Sequence, residues 1–369
     1  MIGRIGLLVG LAAVLLGIVR LTVFLLRRAR RQREVAASLA IRTPNGIETG
    51  MFVRLGGIEQ WISIRGEDRR NPVILILHGG PATSYMGWTP VFQSWERFFT
   101  VVQWDRRGVG KTFGRNGGRG CGEMTLDRIV ADGAELAQFL AAHLQQSRII
   151  LLGHSMGSMI GISLAARHPR LFHAYVGTEQ LLDMAHNETV SYRIILERLR
   201  EQGEIKRARQ LEALGPPPYS TARRWGTKQY AAEVADRVYG TVSKQIHTMM
   251  IESPAYTLKD HIDFVFASGF CLDKLYSQWM SFDARRFGTR FEVPIYIITG
   301  SSDVMAPTEL TEAWLETIEA PQKALVTLPN AGHGVFATAP EAYLSALISL
   351  VGQPTGAHPD RVAPALGQA

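Results

Sequence analysis

Apolar residues gather in this chain in runs of two kinds. One run stands apart by its length: Ile5–Leu26, 22 residues, is apolar except for Arg20 and Thr22. At 1.5 Å per residue it predicts a helix of roughly 33 Å, enough to cross a hydrocarbon layer of about 30 Å. The other runs are short and unbroken: Val73–Leu77, Phe99–Gln103, Arg148–Leu152, Tyr175–Gly177, Ile295–Thr299 and, more weakly, Ala324–Leu328. Such runs predict strands buried on both faces. Residues 51–65 read as two strands turning at Gly56-Gly57, a hairpin. Helical spacing over 126–144, 155–167, 308–318 and 340–350 separates most of the strands, and this alternation predicts a parallel, doubly wound sheet.

Between Gly177 and Pro294 the alternation stops. Residues 187–214 carry two amphipathic helical patterns, Gly215-Pro216-Pro217-Pro218 breaks them, and the remainder is aromatic-rich and mostly helical. The segment 179–290 is expected to be a helical cap set between two parts of one core, 41–178 and 291–352. From residue 353 to 369, Pro, Gly and Ala without periodicity predict a disordered tail.

Charge changes the picture at the N-terminus. The formal net charge is +7, yet residues 1–40 hold seven arginines against Glu34 alone, so the remainder is close to neutral. That argues against a nucleic-acid-binding face. The cluster Arg27-Arg28-Ala29-Arg30-Arg31-Gln32-Arg33 follows the apolar run, whereas a secretory signal carries its charge ahead of it. Residues 1–34 are therefore expected to be a single-pass membrane anchor with a basic segment that attracts anionic lipid. The same asymmetry places the body in the cytoplasm. Cys121 and Cys271 are far apart, and the ten histidines show no metal-ligand spacing, so free thiols and no metal site are expected.

The chemistry concentrates in four segments. Gly153-His154-Ser155-Met156-Gly157 follows an apolar strand and opens a helix, the strand–turn–helix setting of a nucleophile elbow in an α/β-hydrolase. Its glycines clear the strained turn, and Gly157, Gly161 and Ala165 form a small-residue stripe that lets the helix approach the sheet. A serine needs a base, and the base needs an orienting acid, in the chain order Ser, acid, His. His333, in Asn330-Ala331-Gly332-His333-Gly334, is the histidine placed in a loop after a late strand, and Asp303 follows the strand before it. Two backbone N–H groups must hold the oxyanion. Met156, after the nucleophile, supplies one. Gly80, in the loop His78-Gly79-Gly80-Pro81, is expected to supply the other. Asp105-Arg106-Arg107-Gly108 reads as a charged turn bracing nearby loops, since the first glycine of a phosphate-binding loop is missing.

These segments together resemble the prolyl iminopeptidase branch of the α/β-hydrolases, over about residues 50–350. The resemblance implies an α/β-hydrolase fold with a mostly parallel eight-stranded sheet and a helical cap. It also implies a triad of Ser155, Asp303 and His333, an oxyanion hole at Gly80 and Met156, and no cofactor. The chain departs from the family pattern at Ala82, at Arg106 of Asp-Arg-Arg-Gly, at Gly-His-Ser-Met-Gly, which looks as much like an esterase or lipase, and at Val335-Phe336 after the histidine. A small-molecule or short-peptide substrate is expected, cleaved at an N-terminal amide or an ester. A non-catalytic binding module is the reading from a different class. An aminopeptidase must hold a free ammonium, which makes the cap carboxylates Glu179, Asp183, Glu188 and Glu252 candidates for substrate binding. Cap aromatics such as Tyr192, Trp225, Tyr256, Phe266 and Trp279 are candidates for an apolar pocket above Ser155.

Overall fold

The computed structural model of the protein describes residues 2–352, with side chains from residue 10 onward. The expected tail, 353–369, lies outside the described residues. Eight strands form one sheet: β1 (Ile47–Leu55), β2 (Ile58–Gly66), β3 (Val73–Leu77), β4 (Thr100–Asp105), β5 (Ile149–His154), β6 (Phe172–Thr178), β7 (Ile295–Gly300) and β8 (Lys323–Leu328). Their order is β1-β2-β4-β3-β5-β6-β7-β8. β1 and β2 form the hairpin, turning on Gly56 and Gly57 with φ of 52° and 83°, a region open to residues without a Cβ. β2 pairs antiparallel with β4, and every pairing from β4-β3 to β7-β8 is parallel. This is the mostly parallel eight-stranded sheet that the alternation and the resemblance implied.

The continuous apolar runs arise because each central strand feeds two cores at once. Val73, Leu75 and Leu77 of β3 join Ile129, Ile160 and Leu164 on one face of the sheet. Ile74 and Ile76 join Trp95, Phe336 and Tyr343 on the other. β8 is the edge strand and is only partly covered, which explains its weaker pattern. The helix Gly110–Gly120 was not foreseen, since its glycines oppose helix formation. It starts where buried Asp105 accepts the Lys111 N–H at 2.8 Å, and Gly117 (φ 67°) breaks it. Cys121 and Cys271 are buried free thiols.

The cap holds five helices between β6 and β7: Met184–Glu201, Ile205–Leu214, Ala222–Ala235, Arg237–Glu252 and Leu258–Met280. Thr221, Asp236 and Thr257 cap three of them through side-chain oxygens that accept N–H groups of the first turn. The chain enters and leaves the cap side by side, where Asp183 and Asp283 form an antiparallel bridge.

The N-terminal helix, Ile2–Leu39, is long and apolar enough to cross a membrane, and from Leu11 to Leu26 its large side chains are exposed. It does not end at residue 34, the boundary expected from the basic run. It continues unbroken to Leu39, which is buried, while the Ser38 carbonyl accepts Gln93 Nε2 at 2.7 Å and the Leu39 carbonyl accepts the Arg65 guanidinium. The last turns of this helix are therefore packed onto the body.

A buried ion pair ties the segment after β4 to the helix Leu126–His143. Arg107 Nε meets Asp132 Oδ2 at 2.8 Å with both side chains out of solvent, and Asp132 also accepts from Gln60 at 2.8 Å and Arg128 at 3.0 Å. Asp132→Ala strands a buried guanidinium and is expected to cost about 3–5 kcal/mol. Urea denaturation followed by circular dichroism checks this by a lowered midpoint at unchanged slope.

Candidate active site

Ser155 sits between β5 and the helix Met156–Arg167 with φ 50° and ψ −124°, a left-handed backbone imposed on a residue that carries a Cβ. The surroundings leave it no alternative. A Cβ on Gly153 would come within 2.8 Å of the Gly157 carbonyl oxygen, and a Cβ on Gly157 would run into the Leu77 carbonyl. The strand and helix can approach this closely only because both glycines lack a side chain. The Ser155 side chain is thereby lifted above the C-terminal edge of the sheet, at the positive end of the helix dipole.

Two loops from the same edge complete the arrangement. His333, after β8, points Nε2 at Ser155 Oγ (3.2 Å) and Nδ1 at Asp303 Oδ2 (2.9 Å). Asp303, after β7, is fixed from behind by the N–H groups of Met305 (2.7 Å) and Ala306 (3.1 Å). The His333 N–H is held by Asp236 Oδ2 at 2.8 Å, so the capping aspartate of a cap helix also pins the histidine loop. The structure thus brings together Ser155, Asp303 and His333.

It also brings in a carboxylate that sequence reasoning placed elsewhere. Glu179 follows β6, is fully buried, and does not reach the cavity as an ammonium ligand. One oxygen accepts the Val335 N–H at 2.7 Å, and the other lies against His154 Nε2 and 3.8 Å from His333 Nδ1. The signal that could have found it is positional: it is the residue after the strand lying between β5 and β7. His154, Glu179 and His333 are also the one group with metal-donor atoms close together among the described residues. His154 and Glu179 are in direct contact, and His333 Nδ1 is engaged by Asp303. Burial pushes the His333 imidazole down, but the charges of Asp303 and Glu179, the Asp303 hydrogen bond and the charge of Asp236 outweigh it and raise its pKa to about 9.

On the opposite side of Ser155 lies the loop His78–Pro81. The Gly79 N–H donates to Tyr85 Oη at 3.0 Å and is occupied. Gly80, with φ 59°, has its carbonyl turned to the Arg106 guanidinium at 3.0 Å, while the His78 carbonyl accepts from Arg106 at 2.6 Å. With both carbonyls drawn away by one buried cation, Gly80 and Met156 line the cavity beside Ser155. Asp105 stands next to Arg106 in the chain. It is buried, accepts from Tyr256 Oη at 3.2 Å, and its pKa rises to about 6 through loss of solvent, against hydrogen bonds from Ser84, the Lys111 N–H and Tyr256.

The cavity above these groups has a volume of about 410 Å³. Of the cap carboxylates named from sequence, Glu188 alone lines it, and that residue is paired with the buried Lys228 at 3.2 Å. Asp183 instead caps the helix Met184–Glu201 and pairs with Arg285 at 2.7 Å. Glu252 faces Arg31 of the N-terminal helix at 3.3 Å. Sequence reasoning missed Glu233, which lines the cavity and has no cationic partner among the described residues. Nothing in its helical pattern marks it. It also missed Tyr239, whose ring meets His333 edge-on at 5.4 Å. Of the candidate aromatics, Trp225 lines the cavity; Tyr256 is buried against Ser84 and Asp105, and Trp279 is core.

The sequence pattern of the family described as alpha/beta hydrolase fold matches residues 72–340. The chain belongs to the α/β-hydrolase fold family. Within it the chain is prolyl iminopeptidase-like. It is 27% identical over 301 residues to "Probable aminopeptidase YbaC" of Bacillus subtilis (strain 168), covering 79% of this chain and 93% of that one. Among solved structures, the proline iminopeptidase-related protein of Thermus thermophilus matches with a TM-score of 0.58 and 20% identity, over 83% of this chain and 97% of that chain. A membrane phospholipase A, described as a bacterial virulence factor, matches with a TM-score of 0.56 and 19% identity, over 94% and 96%. Both structural likenesses are of fold. The α/β-hydrolase relatives thus include aminopeptidase-like and lipid- or ester-directed enzymes.

In this hydrolase the charge around His333 sets a pH dependence. A base must be neutral to take a proton, so kcat/KM is expected to rise with pH up to about 9. The sign for stability is opposite: a histidine raised from 6.5 to about 9 stabilises the fold fully below 6.5, and that share is lost as pH climbs through 9. Glu179→Gln removes one of the charges favouring the imidazolium, and the rising limb of the kcat/KM profile is expected to move to lower pH. A limb left in place would show that Glu179 exerts no field on His333.

Proposed function

We propose that this protein is a serine hydrolase that cleaves an N-terminal amide through an acyl-enzyme intermediate. Ser155 is the nucleophile, His333 the base and then the acid, and Asp303 the group that orients His333. The observation carrying this reading is the run of contacts from Asp303 to His333 Nδ1 (2.9 Å) and from His333 Nε2 to Ser155 Oγ (3.2 Å). His333 takes the Ser155 proton as Oγ attacks the substrate carbonyl. The oxyanion is held by the N–H groups of Gly80 and Met156. His333 then protonates the leaving amine, and water repeats the sequence on the acyl-enzyme. No cofactor enters these steps.

The amide reading is favoured by the cavity charge. Lys228 neutralises Glu188, and Glu233 is left as a carboxylate facing the cavity, suited to a free ammonium. A second reading, an esterase or lipase-like hydrolase, is favoured by the apolar lining of Trp88, Leu181, Met184, Trp225 and Met305. The N-terminal helix is proposed to anchor the body to a membrane as a single pass, with the body on the cytoplasmic side by its arginine asymmetry. Protease added to intact spheroplasts is expected to leave the body undigested; digestion from outside would reverse that orientation.

The deciding assay compares a proline anilide carrying a free amine with short and medium p-nitrophenyl esters, using the full chain in detergent. Preference for the anilide is expected, with Ser155→Ala losing on the order of 10⁴-fold or more in kcat. Glu233→Gln is expected to raise KM for the anilide by about ten- to a hundredfold, the loss of one charged hydrogen bond, without a matching change for esters. Preference for esters with the same loss in Ser155→Ala would move the protein to the second reading. Failure of a fluorophosphonate to label Ser155 in the folded protein would remove the nucleophile assignment itself.

A further inference from the structure

The exposed large apolar side chains among the described residues fall mainly into two groups. One runs from Leu11 to Leu26 along the N-terminal helix. The other is in the cap: Ile251, Leu258, Ile262, Val265 and Phe266, between 41% and 68% exposed. At about 100° per residue, Leu258, Ile262, Val265 and Phe266 share one face of the helix Leu258–Met280. The opposite face, with Ala267, Cys271 and Leu275, is buried in the core. A helix facing water would be polar on its outer side, and this one is apolar on both.

The two groups are joined. Arg28 lies two residues past Leu26, the end of the apolar run, which is about 3 Å along the helix axis. Its guanidinium donates to the Ile251 carbonyl at 2.9 Å and to the Tyr256 carbonyl at 2.7 Å. Gln32, one turn further, donates to the Ser253 carbonyl at 2.7 Å. The connection between the last two cap helices is thus clamped at the foot of the apolar run. Ile251 flanks that connection on one side and Leu258 on the other. The surrounding cations point outward: Arg30, Arg31 and Lys259 are 83%, 54% and 68% exposed, each beside an acid, Glu34 for the two arginines, Glu252 also for Arg31 and Asp263 for the lysine. An apolar face rimmed by exposed cations at the end of a bilayer-length helix matches the interfacial layer of an anionic membrane, where apolar groups sink and cations meet phosphate.

We propose that this cap face lies in the headgroup layer of the same bilayer that the N-terminal helix spans, so that the cap rests on lipid. The proposal rests on the reading of that helix as a membrane span. Tyr256, whose carbonyl takes Arg28, also places its hydroxyl on Ser84 and Asp105. The lipid contact is therefore one residue removed from Asp105, the chain neighbour of Arg106, which holds the carbonyls of His78 and Gly80.

The test uses the full chain in vesicles of phosphatidylcholine and phosphatidylglycerol, with single cysteines labelled by an environment-sensitive fluorophore. Cys121 and Cys271 are buried and leave the added site as the accessible thiol. Labels are placed at Leu16→Cys in the span, at Ile262→Cys and Phe266→Cys on the cap face, and at Ile205→Cys, an exposed cap position outside both groups. The expected result is blue-shifted emission at Leu16, Ile262 and Phe266, lost on adding lipids with a quencher on the acyl chain, while Ile205 stays water-like. Quenching at Leu16 with Ile262 and Phe266 remaining water-like would overturn the proposal and leave the anchor intact. Blue-shifted cap labels that ignore the lipid quencher would overturn it in favour of a second copy of the chain on this face. No quenching at Leu16 would remove the anchor and the proposal together.

Discussion

Everything at the top of this sheet depends on one close approach. The helix Met156–Arg167 can start directly at the end of β5 only if the chain reverses at Ser155 in a left-handed conformation and Gly153 and Gly157 let the helix touch β5 and β3. That packing fixes where Ser155 Oγ stands, and the neighbours of β5 determine what can meet it. β3 delivers the loop of Gly80 on one side, while β6, β7 and β8 deliver Glu179, Asp303 and His333 on the other. The order of the strands is thus also the order of the site, from the Gly80 loop to Ser155 to the carboxylates and His333. A slip at any of these strands would part groups that now lie within hydrogen-bonding distance.

The second organising force is buried charge held in pairs. Arg106 draws two carbonyls towards itself and so turns the loop His78–Pro81, while Asp105 beside it anchors Tyr256 of the cap. On the other side three carboxylates, Asp303, Glu179 and Asp236, converge on the one imidazole of His333. Each has a separate geometric duty: one takes Nδ1, one holds the N–H of Val335, and one holds the backbone of His333. Their combined field makes this histidine unusually basic. A loop that would otherwise be the loosest part of the site is pinned at three points, one of them from the cap.

Much of this was legible in the sequence, and the reason is packing. β3, β5, β6 and β7 sit between two cores, so their apolar runs are unbroken and could be placed from pattern alone. The positions of Ser155, Asp303 and His333 followed from chain order, since a doubly wound sheet brings the ends of its strands to one edge. What stayed hidden depended on side-chain direction across the cap. Glu188 and Glu252 are alike in sequence, yet one faces the cavity and the other an arginine of the N-terminal helix. Glu233 carried no mark at all. Glu179 reads in sequence as a cap carboxylate for a substrate ammonium, because the positive φ that turns it inward (51°) is not written in composition. The helix Gly110–Gly120 was missed because an aspartate outside it, Asp105, receives its first free N–H.

The N-terminal helix has a further consequence for how the protein is divided. A loose connection would let the body tumble at the end of this helix, with its cavity at any angle. This helix is stiff and gripped along its last three turns, by the carbonyls that take Arg28 and Gln32, by Gln93 on Ser38, and by the Arg65 guanidinium on Leu39. Rotation about the join is removed, and the cavity keeps one bearing relative to the helix axis. Cutting the chain at residue 40 would therefore do more than remove an apolar helix: it would take buried Leu39 away and leave Arg65 short of an acceptor. The stretch gripped by the body begins at Arg28 and runs to Leu39, and it belongs to the helix and the body alike.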